Sequence, residues 1–304
     1  MNNFDLPADV PEEKVDTYIK NMETITGGTG RLMLFAGDQK VEHLNNDFFG
    51  ENIPLDDAHP EHLFRIASLS KIGVFATQMG LIARYGRKYP NIPYLVKINS
   101  KTNLVPFDIR DPISTAWYTF EQVLDFKEKT KLKIYGIGYT VYLGSEFEHK
   151  MLKQAAQLIY ETHQQGMVAV LWMYPKGKAI KNEHDPHLIA GAAGVANCLG
   201  ADFVKVKVPY REGQKSAEAL KEAVLAAGNT GILCEGGAKE DPKQFLTELY
   251  EQIHIGGARG NGTGRNIHQN TLEDGIKMAN AIYSITVENK TPKEAMEILK
   301  GEAL

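Results

Sequence analysis

Cysteine is scarce in this chain of 304 residues: there are two, Cys198 and Cys234, far from any C-x-x-C spacing. That excludes a disulfide framework and a cysteine-based zinc site, and the expectation is two reduced residues in the core. Long apolar runs are lacking as well. No stretch approaches the roughly 18 residues that cross a bilayer, and the N-terminal MNNFDLPADVPEEK has no basic segment leading into an apolar one, as a signal peptide would. A soluble protein of the cytoplasm, with no membrane partner, is the expectation. Charge of one sign is not in excess. A net charge of −4 without long like-charge blocks argues against a sequence-independent nucleic-acid binder and leaves small charged metabolites open. Metal-ligand spacing is missing too: among nine histidines, neither Glu183-His184-Asp185-Pro186-His187 nor His59-Pro60-Glu61-His62 has the helical H-E-x-x-H pattern. Both read as solvated loop and helix-start segments, and no metal is expected.

What the chain does have is rhythm. Its 43% hydrophobic content is ample for a large core. Short apolar runs predict strands over 31–36, 72–77, 93–98, 133–140, 167–172, 202–207, 231–234 and 253–258. Helical spacing or caps between them predict helices from His59 and over 78–89, 114–130, 146–165, 186–199, 216–227, 241–252 and 272–287. Eight strands alternating with helices over roughly 250 residues are the size and order of a (β/α)₈ TIM barrel. No linker divides the series, so residues 1–304 read as one barrel domain, with extra helices at 11–22 and 291–301. A doubly wound open sheet is the competing architecture.

Residues 201–210, Ala-Asp-Phe-Val-Lys-Val-Lys-Val-Pro-Tyr, carry two lysines inside an otherwise apolar strand. Alternation puts Phe203, Lys205 and Lys207 on one face and Val204, Val206 and Val208 on the other. A buried ammonium costs several kcal/mol unless it is paired or loses its proton. A neutral, nucleophilic amine that forms a Schiff base with a carbonyl would account for it. An edge strand with solvated lysines accounts for it equally.

In a barrel, functional groups gather at the carboxyl ends of strands. By that test Asp38, Lys97, Asn99, Trp172, Tyr174, Lys205 and Lys207 can converge. Taken singly, Asp38 reads as a turn cap, Trp172 and Tyr174 as core packing, and Lys97 as a lysine snorkelling outward. Strand seven runs into Glu235-Gly236-Gly237, and strand eight into a loop holding Gly262, Gly264 and Arg265. Glycine amides, a following helix N-terminus and an arginine suit a phosphate, in the loops where barrels commonly hold one. A flexible glycine loop is the alternative, and a dinucleotide fingerprint fits poorly.

With Lys205, the Trp172-Met-Tyr174-Pro-Lys-Gly177 turn, Asp38 and Gly264-Arg265-Asn266-Ile in place, the chain resembles the archaeal-type class I fructose-bisphosphate aldolases of the DhnA-like group. The likeness runs from the first strand to the helix after Arg265. It implies a metal-free, cofactor-free barrel that cleaves a phosphorylated sugar through a Schiff base, in a homo-oligomer of five-membered rings, pentamer or decamer. By the same resemblance Lys205 forms the imine, Tyr174 moves protons, Asp38 is the strand-one acid and Trp172 flanks the substrate. Gly236, Gly237, Gly262, Gly264 and Arg265 would hold phosphate. Lys207, or Lys97, would be a nearby cation favouring the neutral amine of Lys205. The chain departs from the family at Gln39-Lys40, where Asp-His-Gly is usual, and at Glu235, where Ser is usual. A carboxylate there needs a cation, for which Arg259 is a candidate. Other readings are a Schiff-base transferase such as an aromatic-precursor aldol synthase, a thiolase-like enzyme, a metal-dependent aldolase, or a noncatalytic sugar-phosphate sensor.

Overall fold

The computed structural model describes residues 5–302, so the first four residues of the polar N-terminal stretch lie outside it. Eight parallel strands close into a barrel: β1 (Leu32–Ala36), β2 (Val74–Gln78), β3 (Tyr94–Lys97), β4 (Ile134–Leu143), β5 (Val168–Pro175), β6 (Phe203–Val206), β7 (Gly231–Glu235) and β8 (Gly260–Thr263). Each strand pairs with its sequence neighbours, and β8 closes onto β1 with Leu32 opposite Gly260. Closure rules out the open doubly wound sheet. The (β/α)₈ expectation holds.

Side-chain alternation builds two cores. Leu32, Leu34, Ala36, Val74, Leu95, Val170, Trp172, Phe203 and Leu233 fill the barrel interior. Met33, Phe35, Phe75, Val96, Val204 and Val206 point the other way, into the layer between sheet and helices. That layer is covered by α1 (Val15–Thr26), α2 (Gln39–Glu42), α3 (Glu61–Leu69), α4 (Met79–Tyr85), α5 (Phe120–Thr130), α6 (Glu148–His163), α7 (Pro186–Cys198), α8 (Ala217–Ala227), α9 (Pro242–His254), α10 (Arg265–His268), α11 (Leu272–Thr286) and α12 (Pro292–Lys300). The exception is α1. Its Tyr18, Met22 and Ile25 pack with the interior residues and stopper the amino end of the barrel, and Gly27 ends the helix at φ 58°. Local chemistry starts the helices where the sequence signals them. Asp185 accepts from Leu188 N at 2.9 Å with Pro186 in the first turn of α7, and Thr291 and Glu294 form a capping box on α12.

Three expectations are corrected. The eighth strand is not 253–258: that apolar stretch completes α9 and the turn after it, and the strand is the glycine-rich Gly260–Thr263. Apolar content misled because this strand needs absence of side chain. A Cβ on Gly260 would stand 1.9 Å from the Leu32 carbonyl oxygen. The helix expected over 114–130 starts only at Phe120, behind a capping box made by Thr119 and Gln122, while Ala116 bridges to Asn99. Cys198 is exposed at the end of α7; only Cys234 is in the core, where burial pushes its thiol far above the usual range. A two-stranded ribbon, Tyr210–Arg211 with Gln214–Lys215, was not foreseen.

Candidate active site

The carboxyl ends of the strands surround a cavity of about 190 Å³. Ten of the residues singled out from the sequence line it, while Lys97 and Asn99 do not. Asp38 comes from the β1 turn, Trp172 and Tyr174 from β5, and Lys205 and Lys207 from β6 and its exit. Gly236 and Gly237 follow β7, Gly262 lies in β8, and Gly264 and Arg265 come just after it. Tyr174 reaches the cavity because β5 extends to Pro175.

Lys205 is 6% exposed, points into the barrel, and sits opposite Trp172 in the β5–β6 register. Its Nζ lies 5.6 Å from the centroid of the indole, and Lys97 Nζ lies 4.8 Å from the same ring. Room for Lys205 comes from β8: a Cβ on Gly262 would stand 2.8 Å from both its Cδ and Cε. Lys97 does not snorkel out. It is buried, bonded to Thr140 Oγ1 at 2.6 Å and to the Asn99 carbonyl at 3.1 Å, with Asp38 Oδ2 at 3.5 Å. Burial pushes its ammonium down, the neighbouring Lys205 adds to this, and Asp38 and Glu42 oppose it.

Burial pushes the Tyr174 phenol well above its usual range, and the charges of Glu235, Glu42 and Asp38 push the same way. The ring therefore meets a substrate as a protonated donor. Lys207 differs from Lys205 in having a carboxylate partner, Glu183 Oε2 at 2.7 Å. Burial opposes its charge, but Glu235 and Glu183 outweigh burial and raise its pKa, so it stays an ammonium.

The glycine loops are shaped from within. Asn266 Nδ2 donates to the carbonyls of Gly236 at 2.8 Å and Ala238 at 2.9 Å, and Arg265 Nε donates to the Gly237 carbonyl at 3.0 Å. The Gly236 N–H, expected to face an anion, is taken by the Gly262 carbonyl at 3.1 Å. Among the described residues the Gly237 N–H has no acceptor, so it is the free donor of the pair. The helix after Arg265 is a single turn and adds little dipole. Arg259 is not the partner of Glu235. It lies at the amino end, bonded to the carbonyls of Gly30 at 3.1 Å and Asn229 at 3.4 Å, whereas Glu235 acts on Lys207 and Tyr174.

Sequence reasoning missed Glu42, His43, Asp47 and Lys176. Glu42 Oε1 accepts from the Tyr142 hydroxyl at 3.2 Å and lines the cavity with His43. His43 Nδ1 is 2.6 Å from Asp47 Oδ2, which is in turn 3.8 Å from Arg265 Nε. At the departure from the family pattern, Gln39 packs its amide over Gly264, while Lys40 turns away to Asn45 Oδ1 at 2.8 Å. The one-turn α2 after β1 carries no periodicity, and the signal that could have found its residues is their place in a βα loop. Among the described residues no three His, Cys, Asp or Glu side chains gather to hold a metal.

A larger cavity, about 270 Å³, opens at the opposite end beside Tyr18, Asp202 and Arg259. Size does not decide between the two. Among the described residues the lysine, phenol, carboxylate and glycine loops meet at the carboxyl face, the face that carries the chemistry of barrel enzymes.

The comparisons agree. A model of the DeoC/LacD family aldolases matches residues 32–270, and the chain belongs to this family and is a lyase. It is 59% identical over 297 residues, 98% of this chain and 94% of the relative, to a protein of Methanocaldococcus jannaschii named fructose-bisphosphate aldolase/6-deoxy-5-ketofructose 1-phosphate synthase. A solved fructose-bisphosphate aldolase from Slackia heliotrinireducens superposes with a TM-score of 0.96 at 52% identity, over 98% of this chain and 94% of that one. An archaeal fructose-1,6-bisphosphate aldolase, solved with its catalytic lysine bound to the carbinolamine of the substrate, gives a TM-score of 0.75 at 29% identity, over 88% and 98% of the two chains.

Proposed function

We propose that the chain is a class I fructose-bisphosphate aldolase, which cleaves fructose 1,6-bisphosphate reversibly to dihydroxyacetone phosphate and glyceraldehyde 3-phosphate. The observation that carries this is Lys205, a buried lysine without a carboxylate partner among the described residues, facing a cavity that also holds Tyr174, Asp38 and Arg265.

In this reading Lys205 Nζ attacks the C2 ketone to give a carbinolamine. Tyr174, held as a phenol, protonates the departing hydroxyl, and the nitrogen lone pair closes the iminium. The C3–C4 bond then breaks with its electron pair flowing into the iminium, while the phenolate takes the C4 hydroxyl proton and the aldehyde leaves. Tyr174 returns that proton to C3 of the enamine, and water releases the second triose and Lys205. Asp38, fixed by Lys97, orients the reacting hydroxyls. Arg265 and the Gly237 amide hold the phosphate next to the imine. The chemistry uses no metal or cofactor, and we take the chain to act as one barrel domain in a cytoplasmic homo-oligomer, as the resemblance implies.

A second product at the same site is favoured by the name of the Methanocaldococcus jannaschii relative. A 6-deoxy-5-ketose 1-phosphate results when the same enamine adds to an aldehyde that carries a ketone and a methyl group.

The test is incubation with dihydroxyacetone phosphate, borohydride reduction and peptide mass mapping. The added mass is expected on Lys205, with chelator present or absent. Label on Lys207 or Lys97 would move the nucleophile, and cleavage without any label would end the Schiff-base reading.

A further inference from the structure

Three polar side chains buried behind the β8 loop stand outside the mechanism above. His268 closes α10, the single turn that begins with Arg265, and its side chain is fully buried. Its Nδ1 donates to Asp57 Oδ2 at 2.7 Å, on a carboxylate that is fully buried as well. His62, in the first turn of α3, is also buried. Its Nε2 lies 3.1 Å from the carbonyls of both His268 and Asn270, so that nitrogen carries the hydrogen. Among the described residues Asp57 Oδ1, His62 Nδ1 and His268 Nε2 have no hydrogen-bond partner. Buried polar atoms left in this way are destabilising, whereas apolar side chains of the same volume would pack without that cost. What polar residues add here is a fixed direction.

We propose that the His268–Asp57 pair, backed by His62, is a positioning device for Arg265: it fixes the turn that aims the guanidinium at the phosphate, without touching the substrate. The inference rests on the aldol reading above.

The contacts run to both ends of the turn. The His268 ring stacks on Phe48, with 4.8 Å between centroids and 8° between planes. The residue before Phe48 is Asp47, whose Oδ2 stands 3.8 Å from Arg265 Nε and whose carbonyl accepts from Gln269 Nε2 at 2.8 Å. Asp47 and Phe48 therefore grip the turn at its arginine and at its histidine, and Asp57 holds the histidine from further along the same β1–α3 connection. Such a turn is not stable by itself. Its own backbone bonds run from Ile267 and His268 to the Gly264 carbonyl, at 2.8 and 3.0 Å, and from Gln269 to the Arg265 carbonyl at 3.2 Å. The charges agree in sign. Burial works against the Asp47 carboxylate, and His43, Arg265 and His268 outweigh it. Arg265 lines the cavity, whereas Asp57, His62 and His268 do not, so their influence on a bound phosphate passes through the turn.

His268→Phe keeps a ring against Phe48 and removes the donor. It should raise KM for fructose 1,6-bisphosphate about 3- to 10-fold, the worth of one hydrogen bond. It should change kcat by less than about twofold, because binding rather than bond breaking is affected. His268→Asn, whose amide nitrogen can take the place of Nδ1, should recover most of the loss. In an Arg265→Ala background, His268→Phe should change KM by less than about twofold, since the group it positions is gone. Where His268→Phe does not fold, Asp57→Asn enters the same comparison with a smaller expected rise. With Arg265→Ala alone raising KM, an unchanged KM in the single variant, a loss confined to kcat, or a full further rise on top of Arg265→Ala would each overturn the positioning role and leave the aldol reading standing. A wild type that does not cleave the bisphosphate would remove both.

Discussion

Lys97 Nζ stands 3.5 Å from Asp38 Oδ2 at a position where the lysine side chain is 2% exposed, so the acid at the end of β1 is held by a buried cation reaching over from β3. The pair spans two elements that are not neighbours in the barrel wall. Removing one partner of a buried pair costs about 3 to 5 kcal/mol because the other is left uncompensated. Lys97→Met should therefore lower unfolding stability by an amount of that order and reduce kcat at least about tenfold, with borohydride labelling still on Lys205. Unchanged kcat in a folded variant would show that Asp38 does not depend on Lys97.

Tyr174→Phe should keep the fold and the imine but lose turnover by at least about a hundredfold, the usual worth of a placed proton donor. Steady-state rates set against trapped imine separate these effects. A phenylalanine variant with near-normal kcat would remove Tyr174 from proton transfer.

Arg265→Ala should raise KM for the bisphosphate about 10- to 100-fold while imine formation at saturation persists. Asp47→Asn should raise it less, on the order of threefold, because a mobile guanidinium still carries its charge. Burial works against the Asp47 carboxylate, yet His43 and Arg265 outweigh it and hold its pKa below the usual range, so Asp47 keeps its negative charge at working pH. If Asp47→Asn tightened binding instead, the carboxylate would be repelling the phosphate rather than aligning Arg265.

His163 predicts how stability depends on pH. Its ring is fully buried, with Nδ1 2.8 Å from Asp9 Oδ1 and Nε2 3.2 Å from Asp202 Oδ2. Burial opposes its charge, but Asp202 and Asp9 outweigh it and push the pKa up to about 9. A folded pKa above the unfolded value near 6.5 means the contribution is complete below about 6.5 and is lost as pH rises through about 9. Denaturant unfolding should thus show stability falling over that window by at most about 3 kcal/mol, and His163→Gln should flatten the fall. Parallel slopes in the two proteins would assign the pH dependence to other groups.

The strands from β1 to β7 were legible because each is an apolar run that a two-faced core demands, and Lys205 and Tyr174 were legible because alternation fixes which way they point. β8 was not. Its sequence, Gly-Asn-Gly-Thr, obeys a constraint imposed by its neighbours, the Leu32 carbonyl and the Lys205 stem, and neighbours in space are invisible in a string. Lys176 stood in the same Tyr-Pro-Lys-Gly turn as the expected proton donor, but its place in the cavity wall, with Nζ 3.9 Å from the centroid of the Phe107 ring, is displayed only by the structure. The same holds for Gly236, whose N–H is committed to Gly262, and for Arg259, near the β8 glycines in sequence yet at the far end of the barrel.

Gly262 has a further consequence for the nucleophile. Where a side chain would stand in the wall, the methylenes of Lys205 lie against bare backbone, so the aliphatic stem of the reactive amine is part of the barrel packing. A free lysine carries about 2 kcal/mol of rotamer entropy. Here most of that freedom is surrendered when the chain folds rather than when a ketose arrives, and the amine meets its carbonyl already aimed.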